Sequence, residues 1–430
     1  MAGASRRFLF LQGPHGPFFW SLGRRIRAAG ADVLRVGFNF GDRAFWPERT
    51  GFIPFRGSPA DWPATFHDIL RARGITDLVL YGDTRPVHAQ AIAIARAEGL
   101  TVHVFEEGYL RPSWVTYERG GANGHSRLME LTVPMMRQAL GPREPDLQEA
   151  PARWGDMTQH MIWGALYHGL VMAGGRAYPG FRPHRTLSVP QEFRLHLRRL
   201  ALLPLHRLER MAATARILLG SFPYHLVLLQ LEHDSSFTMH SPYTSMAEFI
   251  EEVTRAFAEG APPHHHLVFK AHPLEDGRAP LASRIRQSAR RHGLNGRVHF
   301  VRGGKLARLL AEARSAVTVN STAGQQALWR GLPVRTLGTS VYSKPGLVSS
   351  QPLAGFFARP EPPDRGAYRA YRSFLLATSQ VPGGFYSMRG RRRLLRTILD
   401  MMLDPQDPYA TPGVAPAILR QQLHIHSAMR

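Results

Sequence analysis

Cysteine is absent from the 430 residues of the chain. The chain therefore forms no disulfide and offers no thiolate to a metal, which excludes a disulfide-stapled extracellular fold and favours a reducing compartment. Long apolar runs are also lacking: the best candidate, ILLGSFPYHLVLLQLEH, contains Pro223 and His225, so no transmembrane helix is predicted. Acidic residues number 32 against 54 lysines and arginines. The formal charge of +22 indicates an anionic partner, such as nucleic acid, a phospholipid surface or a phosphorylated substrate.

Several common catalytic motifs are missing as well. The sequence has no GxxxxGK[ST], no GxGxxG after the first strand, no HExxH and no GxSxG, which removes the main support for an NTPase, a simple dinucleotide oxidoreductase, a zincin or a serine hydrolase. A run of three histidines, His264 to His266, predicts a solvated turn before a strand rather than a metal site, because neighbouring residues of an extended segment point in opposite directions.

Apolar segments that alternate with helical patterns indicate two α/β halves. Strands are predicted to begin at nine positions: Phe8, Asp32, Asp77, Thr101, His225, His266, Arg297, Ala316 and Pro333. The first apolar run follows Arg6 and Arg7 but is broken at Gln12, so it predicts a core strand and not a signal peptide. Strands separated by helices predict parallel sheets that are covered on both faces.

The predicted architecture is glycosyltransferase B-like, with two Rossmann-like domains that face a cleft and a helical basic connection between them. We predict an N-terminal domain at residues 1–215, whose segment 151–215 is helical and basic, a C-terminal domain at 216–385, and a basic helical tail at 386–430. The basic segment contains EFRLHLRRLALLPLHRLERMAATARILL, which is amphipathic. An interdomain helix is the favoured interpretation, and a helix on a membrane surface is the alternative.

In the first half, polar residues stand at predicted strand ends. Glu106 and Glu107 are adjacent in VHVFEEGYLRPSW, where each carboxylate raises the cost of ionising the other. Gly13, in GPHG, allows either a close backbone approach to a ligand or a tight turn. The segment YGDTRPVH brings three polar residues to a strand exit: Asp83, Arg85 and His88. A helix cap would explain Asp83 but not Arg85 and His88.

The second half carries two further motifs at strand ends. The segment FKAHP contributes Lys270, His272 and Pro273, and two cations beside a helix start suit a phosphate. The segment VTVNSTAGQQAL contributes Asn320, Ser321, Thr322 and Gly324 at the start of a helix. A Ser/Thr helix cap is the ordinary explanation of that segment, although such a cap leaves backbone N–H groups that can also bind an anion.

The order of these motifs is more specific than any one of them. An acidic pair with glycine, followed by His-Pro and then Ser-Thr, resembles the motif set of bacterial transferases that use CMP-activated acidic sugars. A closer resemblance, from about Phe8 to Tyr386, is to the KpsS-type capsular polysaccharide export and biosynthesis proteins. It rests on nine segments in the same order: LQGPHGPFFWSL, FNFGDRAFW, LYGDTRPVHAQAI, VFEEGYLRPSWVT, GANGHSRL, LQLEHDSSFTMHSPY, LVFKAHPLEDG, VTVNSTAGQQAL and SVYSKPGL.

This resemblance implies a retaining glycosyltransferase that moves β-Kdo from CMP-β-Kdo to a (lyso)phosphatidylglycerol lipid and so initiates the poly-Kdo linker of a capsular polysaccharide. It implies CMP-β-Kdo as donor substrate, with no cofactor and no metal. The implied partners are the anionic lipid acceptor, the inner-membrane surface, a second Kdo transferase and the capsule export complex, and not nucleic acid. The implied location is the cytoplasm, peripherally on the inner face of the inner membrane.

The resemblance also implies residue roles. Retention by double displacement needs an enzyme carboxylate, and Glu107 is the candidate nucleophile, with Glu106 as an orienting group or base. Stabilisation of the departing CMP is assigned to His272 and Lys270. Further nucleotide-sugar residues are Pro273, Asn320, Ser321, Thr322, Gly324 and Gly13. The substrate and acceptor residues are Arg111, Asp83, Arg85, His88 and Asn123.

Two alternatives stay open at this point. One is another transferase on the same fold, which uses a different CMP-sugar or transfers polyol phosphate. The other is a noncatalytic, membrane-associated capsule export factor, in which the acidic pair would have no chemical role.

Overall fold

The structure is a computed structural model, and it describes residues 6–141, 156–182, 189–275 and 277–409. The chain divides into two compact units. The first unit comprises Met1–Glu130, Met135–Thr186 and Ser373–Arg430, and the second comprises Leu131–Pro134 and Leu187–Arg372.

The strands, in chain order, are β1 Arg7–Phe10, β2 Asp32–Gly37, β3 Phe52–Pro54, β4 Asp77–Tyr81, β5 Thr101–Glu107, β6 Trp114–Arg119, β7 Tyr224–Leu228, β8 His266–Lys270, β9 Val298–Val301, β10 Ser315–Thr318, β11 Val334–Thr336 and β12 Gln380–Pro382. The α-helices are α1 Phe18–Ala28, α2 Phe40–Ala44, α3 Trp62–Arg73, α4 Pro86–Ala97, α5 Val133–Leu140, α6 Asp156–Ala173, α7 Val189–Leu219, α8 Ser235–His240, α9 Met246–Gly260, α10 Leu281–Arg291, α11 Leu306–Glu312, α12 Ala323–Trp329, α13 Leu353–Ala358, α14 Arg365–Thr378 and α15 Met388–Leu403.

The sheet of the first unit has the strand order β12-β6-β5-β4-β1-β2-β3. Strands β1 to β5 are parallel, and β6 and β12 pair antiparallel at one side. The five parallel strands follow the order 3-2-1-4-5, which is that of a Rossmann-like half. Such strands are buried on both faces, and alternate residues of β1 enter two different apolar clusters. Phe8 and Phe10 pack beneath α1 and α15, whereas Leu9 packs beneath α3 and α4.

The sheet of the second unit has the order β11-β10-β7-β8-β9, and every neighbouring pair is parallel. Numbered along the chain this is again 3-2-1-4-5, so both units are Rossmann-like, as predicted. Helices α9, α10 and α13 cover one face through Phe249, Ile285 and Phe356, all nearly inaccessible to solvent. Helix α7 packs against β9 and α11.

All nine predicted strands are present, and three strands were missed: β3, β6 and β12. Strand β6, WVTYER, carries no clean alternation of apolar and polar residues because Glu118 and Arg119 are themselves buried. Strands β3 and β12 have three residues each and contain proline, so their pairing with the sheet leaves little local signal.

The predicted domain boundaries differ from the observed division in two respects: helix α7, most of which was predicted in the N-terminal domain, belongs to the second unit, and residues from Ser373 onward belong to the first unit. The predicted tail begins with α15, whose buried residues Leu394, Leu395, Ile398 and Met402 belong to the core beneath β1 and β5. An amphipathic helix buries its apolar face wherever a matching face exists, and here that face is the sheet of the first unit. The remainder of the predicted tail, 410–430, lies outside the described residues.

The predicted solvated turn before β8 is correct for His264 and wrong for His265, and His266 begins the strand as predicted. His264 is exposed, but His265 is only 5% exposed and its Nδ1 lies 3.0 Å from Nε2 of His225. His266 bonds through Nδ1 to Nε2 of His299, 2.8 Å away. Among the helices of the described residues, none has the length and apolar character needed to cross a membrane.

Candidate active site

The adjacent glutamates at the end of β5 have different surroundings. Oε1 of Glu106 accepts a hydrogen bond from the backbone N–H of Glu107 (3.0 Å). The Glu106 carboxylate also faces Gly82, where an added Cβ would lie 3.3 Å from Oε2 of Glu106. Because consecutive strand residues point to opposite faces, the Glu107 side chain lies on the other face, the one that Phe105 shares with α1 and α15.

Two phenols bind the Glu107 carboxylate. The hydroxyl of Tyr81, at the end of β4, donates to Oε1 of Glu107 over 3.3 Å, and the hydroxyl of Tyr386 donates to the same oxygen over 3.2 Å. Burial raises the pKa of both phenols well above their usual range, and the charge of Glu107 raises the pKa of each further. Both tyrosines are therefore neutral hydrogen-bond donors at physiological pH.

Arg85 lies beside the same pair. Its guanidinium stands over the ring of Tyr81, 5.8 Å from the centroid, and donates to Oε1 of Gln12 over 3.4 Å. The structure thus brings two predicted site residues to one tyrosine: Glu107 accepts from the hydroxyl of Tyr81, and Arg85 lies over its ring. A guanidinium in this place can bind a carboxylate or phosphate of a substrate.

Asp83 and His88 belong to a second group, in the turn after β4 and the first turn of α4. Asp83 is buried and accepts hydrogen bonds from the N–H of Ala122 (2.8 Å) and from Nδ1 of His125 (3.2 Å). His88 is fully buried, and its Nδ1 bonds the carbonyl of Gly82 (2.6 Å). His88 thus stabilises the turn after β4. Its burial gives no support to the prediction that it contacts substrate.

Asn123 and Arg111 are on loops next to β5 and β6. Asn123 adopts a left-handed backbone (φ 52°), and its N–H donates to the Tyr109 hydroxyl over 2.6 Å. Arg111 is exposed, with Nε donating to the carbonyl of Gly108 (3.3 Å). Gly13 has a packing reason to be glycine, because a Cβ there would lie 2.6 Å from the ring of Phe19. A ligand is therefore not needed to explain Gly13.

In the second unit, Lys270 and His272 follow the apolar part of β8. Lys270 is 4% exposed, and burial, followed by the nearby charge of Arg210, lowers its pKa to about 8. Nδ1 of His272 accepts the N–H of Leu274 (3.1 Å), so the neutral imidazole carries its proton on Nε2. Pro273, exposed on the turn after His272, ends this motif.

The Asn320 to Gly324 segment follows β10 and is largely engaged within the protein. The Asn320 amide donates to the carbonyls of Ser236 (2.7 Å) and His240 (3.1 Å) and accepts from Gln230 (2.7 Å). Ser321 Oγ accepts the N–H of Ala323 (3.2 Å), which is a helix cap, and its carbonyl accepts the Tyr342 hydroxyl.

Only part of this segment can therefore face a ligand. Gly324 is required by packing, since a Cβ there would lie 2.5 Å from the Tyr342 hydroxyl. The half-buried Thr322 makes no side-chain capping bond. Its hydroxyl, unlike that of Ser321, is therefore not used at the start of α12.

Sequence reasoning missed four residues of these sites: Tyr81, Tyr386, His125 and Lys344. The tyrosines look like ordinary core residues in YGD and GGFYS. A signal for Lys344 was present, because the chain has only three lysines and Lys344 is in the quoted segment SVYSKPGL. Lys344 is 5% exposed, donates to the carbonyl of Leu131 (2.6 Å), and has its pKa lowered to about 8 by burial.

Both sheets carry these polar side chains at the carboxyl ends of their strands, which is where open parallel sheets bind ligands. The chain is thus an α/β protein of the glycosyltransferase B-like class, with two Rossmann-like sheets. It belongs to the family described as capsule polysaccharide biosynthesis protein, whose model matches residues 76–386. The family resemblance seen in the sequence is confirmed.

Two curated relatives support this membership. The capsule polysaccharide export protein KpsS of Escherichia coli is 30% identical over 393 residues, which cover 89% of this chain and 97% of that protein. The capsule polysaccharide modification protein LipB of Neisseria meningitidis serogroup B is 30% identical over 391 residues, which cover 89% of this chain and 92% of that protein.

Solved structures are similar at much lower identity. KpsC of Thermosulfurimonas dismutans, a β-Kdo 2,7 transferase, is 14% identical with a TM-score of 0.45 and matches 91% of this chain and 99% of that chain. HepE of Anabaena, in complex with UDP and glucose, is 13% identical with a TM-score of 0.34 and matches 98% of this chain and all of that chain. Both TM-scores are below 0.5, so neither likeness is used to assign chemistry.

Proposed function

We propose that this chain is a retaining glycosyltransferase that transfers β-Kdo from CMP-β-Kdo to a (lyso)phosphatidylglycerol acceptor and so starts the poly-Kdo linker of a capsular polysaccharide. The observation that carries the proposal is the contrast between the two glutamates. Glu106 accepts its neighbour's backbone N–H, whereas Glu107 presents a carboxylate that two phenols hold at one oxygen. The donor and acceptor come from the family resemblance, and membership of the capsule family supports them.

The reaction proceeds in two displacements. A carboxylate oxygen of Glu107 forms a bond to the anomeric carbon of Kdo, and the bond from that carbon to the phosphate oxygen breaks, so CMP leaves with the electron pair. The acceptor hydroxyl then attacks the same carbon and loses its proton to a base, and the bond to Glu107 breaks to restore the carboxylate. Two inversions give net retention.

The departing CMP carries its charge on phosphate, so the second unit needs to supply positive charge and N–H donors. We assign this role to Lys270 and His272, with Thr322 at the start of α12 as a further donor. Pro273, Asn320, Ser321 and Gly324 shape these two loops. In the first unit, Arg85 and Arg111 are assigned to the sugar carboxylate or the lipid phosphate, with Asp83 and Asn123 on the acceptor side.

We assign the protein to the cytoplasmic face of the inner membrane, as a peripheral protein. The +22 charge supports this assignment, because each basic residue near an anionic surface contributes about 1 kcal/mol. Arginines on α15 are exposed opposite its buried face: Arg389, Arg392, Arg393 and Arg396. Helix α7 also exposes Leu205, Leu208 and Met211, which fits the membrane-surface alternative for this segment. A second Kdo transferase and the export complex are proposed as further partners.

The decisive experiment uses purified protein, CMP-β-Kdo generated in situ and a fluorescent lysophosphatidylglycerol. The expected product gains the mass of Kdo, and NMR of the product shows a β linkage. No product, or an α-linked product, would overturn the proposal. Parallel reactions with CMP-sialic acid and with an activated polyol phosphate test the competing transferases.

The noncatalytic alternative is tested in cells. If the chain only assists export, the Glu107→Gln variant supports normal capsule production. The transferase proposal expects this variant to abolish the capsule while the protein is still made at wild-type level.

A further inference from the structure

Tyr81 and Tyr386 reach Glu107 from distant parts of the chain. Tyr81 ends β4, next to β5, whereas Tyr386 follows β12, which joins the sheet only through β6. Both hydroxyls nevertheless donate to one oxygen, Oε1 of Glu107. No residue of the described chain is hydrogen-bonded to the other oxygen, Oε2.

The position of Tyr386 is fixed by several contacts other than its hydroxyl. Its ring stacks on His160 of α6, with centroids 4.3 Å apart and an interplanar angle of 16°. Its carbonyl accepts the indole N–H of Trp163 (3.1 Å), and the guanidinium of Arg391 donates to the same carbonyl. The next residue, Ser387, caps α15. A hydroxyl on a ring held in this way can orient the carboxylate it binds.

Tyr81 is held with similar firmness. Its ring meets the edge of Phe385, with centroids 5.3 Å apart and an angle of 87°, and it packs against the cluster that contains Phe105. Other buried tyrosines of this chain use their hydroxyls in different ways: Tyr224 donates to the carbonyl of Leu309 (2.6 Å), whereas Tyr409 donates to the carboxylate of Glu118 (3.4 Å). A buried phenol can thus be hydrogen-bonded without a carboxylate. The need to hydrogen-bond two buried hydroxyls therefore does not by itself explain why both donate to Glu107.

We propose that Tyr81 and Tyr386 are positioning residues of the transferase reaction: their hydroxyls hold Oε1 of Glu107, so that Oε2 forms the bond to the anomeric carbon. This inference rests on the proposed function. It names which oxygen attacks and which two side chains direct it. The tyrosines themselves form no bond to substrate and neither gain nor lose a proton.

The arrangement has a consequence for each half of the reaction. Hydrogen bonds to an ionised carboxylate are stronger than those to a neutral ester carbonyl. The two phenols therefore orient the Glu107 carboxylate before attack. They also stabilise the negative charge that returns to Glu107 when the glycosyl–enzyme bond breaks. Removal of the hydroxyls should slow the second displacement, and the covalent intermediate should accumulate.

The test compares Tyr81→Phe, Tyr386→Phe and the double variant with wild type. We expect kcat to fall roughly tenfold for each single variant, because each loses one hydrogen bond to the Glu107 carboxylate. The KM for the donor should stay close to wild type, and intact mass spectrometry should detect more Kdo-modified enzyme. Tyr224→Phe is the matched control, because it removes a buried hydroxyl in the second unit and should change none of these readouts.

A measurement that needs no turnover separates this inference from the proposed function. Carbodiimide coupling of Glu107 at one fixed pH is followed by peptide mass spectrometry, since a carboxylate oxygen held by two phenols is shielded from the reagent. Coupling should be faster in both Phe variants and unchanged in Tyr224→Phe. An unchanged coupling rate, or an unchanged kcat in an active protein, would overturn the inference. A missing product from wild type would instead overturn the proposed function, with the coupling rate still reporting on the two hydroxyls.

Discussion

Tyr386 donates a hydrogen bond to Glu107 across 3.2 Å, although 279 residues separate them in the chain. Tyr386 lies in the segment between β12 and α15. Strand β12 is part of the sheet that contains β5, the strand that ends at Glu107, and α15 packs on that sheet. Helix α15 is thus part of the scaffold of the candidate nucleophile, and changes in its buried face should alter the position of Glu107.

The first prediction concerns that buried face. Ile398→Ala removes a fully buried side chain from the cluster beneath β1 and β5, and the cavity should lower the free energy of unfolding by about 2–5 kcal/mol. Urea unfolding followed by circular dichroism measures this change. Arg392→Ala, on the exposed side of the same helix, is the control and should change stability by no more than about 0.5 kcal/mol. Equal effects of the two changes would contradict the role of α15 in the core.

The second prediction separates the two glutamates. Glu107→Gln should lower kcat by roughly 10⁴-fold or more, because a neutral amide cannot form the covalent intermediate. Glu106→Gln should stay within about tenfold of wild type, since the amide oxygen of Gln can still accept the N–H of Glu107. Initial rates of Kdo transfer measure both.

The two variants are nearly isosteric, so each is a control for the other. Thermal unfolding should show that both fold as wild type does. If Glu106→Gln were the inactive variant and Glu107→Gln the active one, the assignment of the nucleophile would be reversed.

The sheets were predictable from the sequence because their signals are local. Segments such as DLVLY and HLVFK are apolar, short and flanked by turns, and helices fall between them. Strand β12 and the placement of α15 were not predictable, since their partners lie far away in the chain and three residues with a proline carry no periodicity.

The candidate site likewise contains residues that the sequence predicted and residues that it did not. The acidic pair was noticed because adjacent carboxylates at a strand end raise the cost of ionising each other, and the family resemblance then implied Glu107 as the nucleophile. Tyr81 and Tyr386 were missed because a tyrosine in an apolar segment looks like core until its hydroxyl partner is known. Gly13 and Gly324 were assigned to the nucleotide-sugar site, and packing also accounts for both glycines, because Phe19 and Tyr342 occupy the space that a Cβ would need. Sequence alone does not distinguish a glycine that approaches a ligand from one that accommodates a ring.

The third prediction concerns Lys270. Burial lowers the pKa of Lys270 to about 8, so its ammonium is mostly charged at pH 7 and mostly neutral at pH 9. If Lys270 binds the donor phosphate, the KM for CMP-β-Kdo should rise as the pH increases through 8. Lys270→Arg should flatten this dependence, because a guanidinium stays protonated throughout the range. Donor saturation curves at pH 7, 8 and 9 measure it.

Lys305→Arg is the matched control, since Lys305 is exposed on the turn before α11. It should leave the pH dependence of the donor KM unchanged. A donor KM that rises equally in Lys270→Arg and in wild type would assign the dependence to another group.

The fourth prediction concerns the stability of the second unit at acidic pH. His225, His265 and His299 lie in two hydrogen-bonded histidine pairs, and burial lowers their pKa values to about 3, 4 and 4. In the unfolded chain these imidazoles bind protons below about pH 6.5, whereas the folded protein does not bind them until lower pH. The unfolded state therefore holds more protons between these values, and stability should fall as the pH is lowered from 6.5 towards 4.

Thermal unfolding between pH 7.5 and pH 5 measures this dependence, and the melting temperature should drop by several degrees across it. His225→Gln removes one titrating group while its amide can still hydrogen-bond Ser315 and His265, so its melting temperature should vary less steeply with pH. His67→Gln changes a histidine on the exposed side of α3 and should retain the wild-type slope. If the melting temperature of His225→Gln varied with pH as steeply as that of wild type, the buried histidine pairs would not set the acid sensitivity. Folding would then release the same number of protons with or without the His225 imidazole.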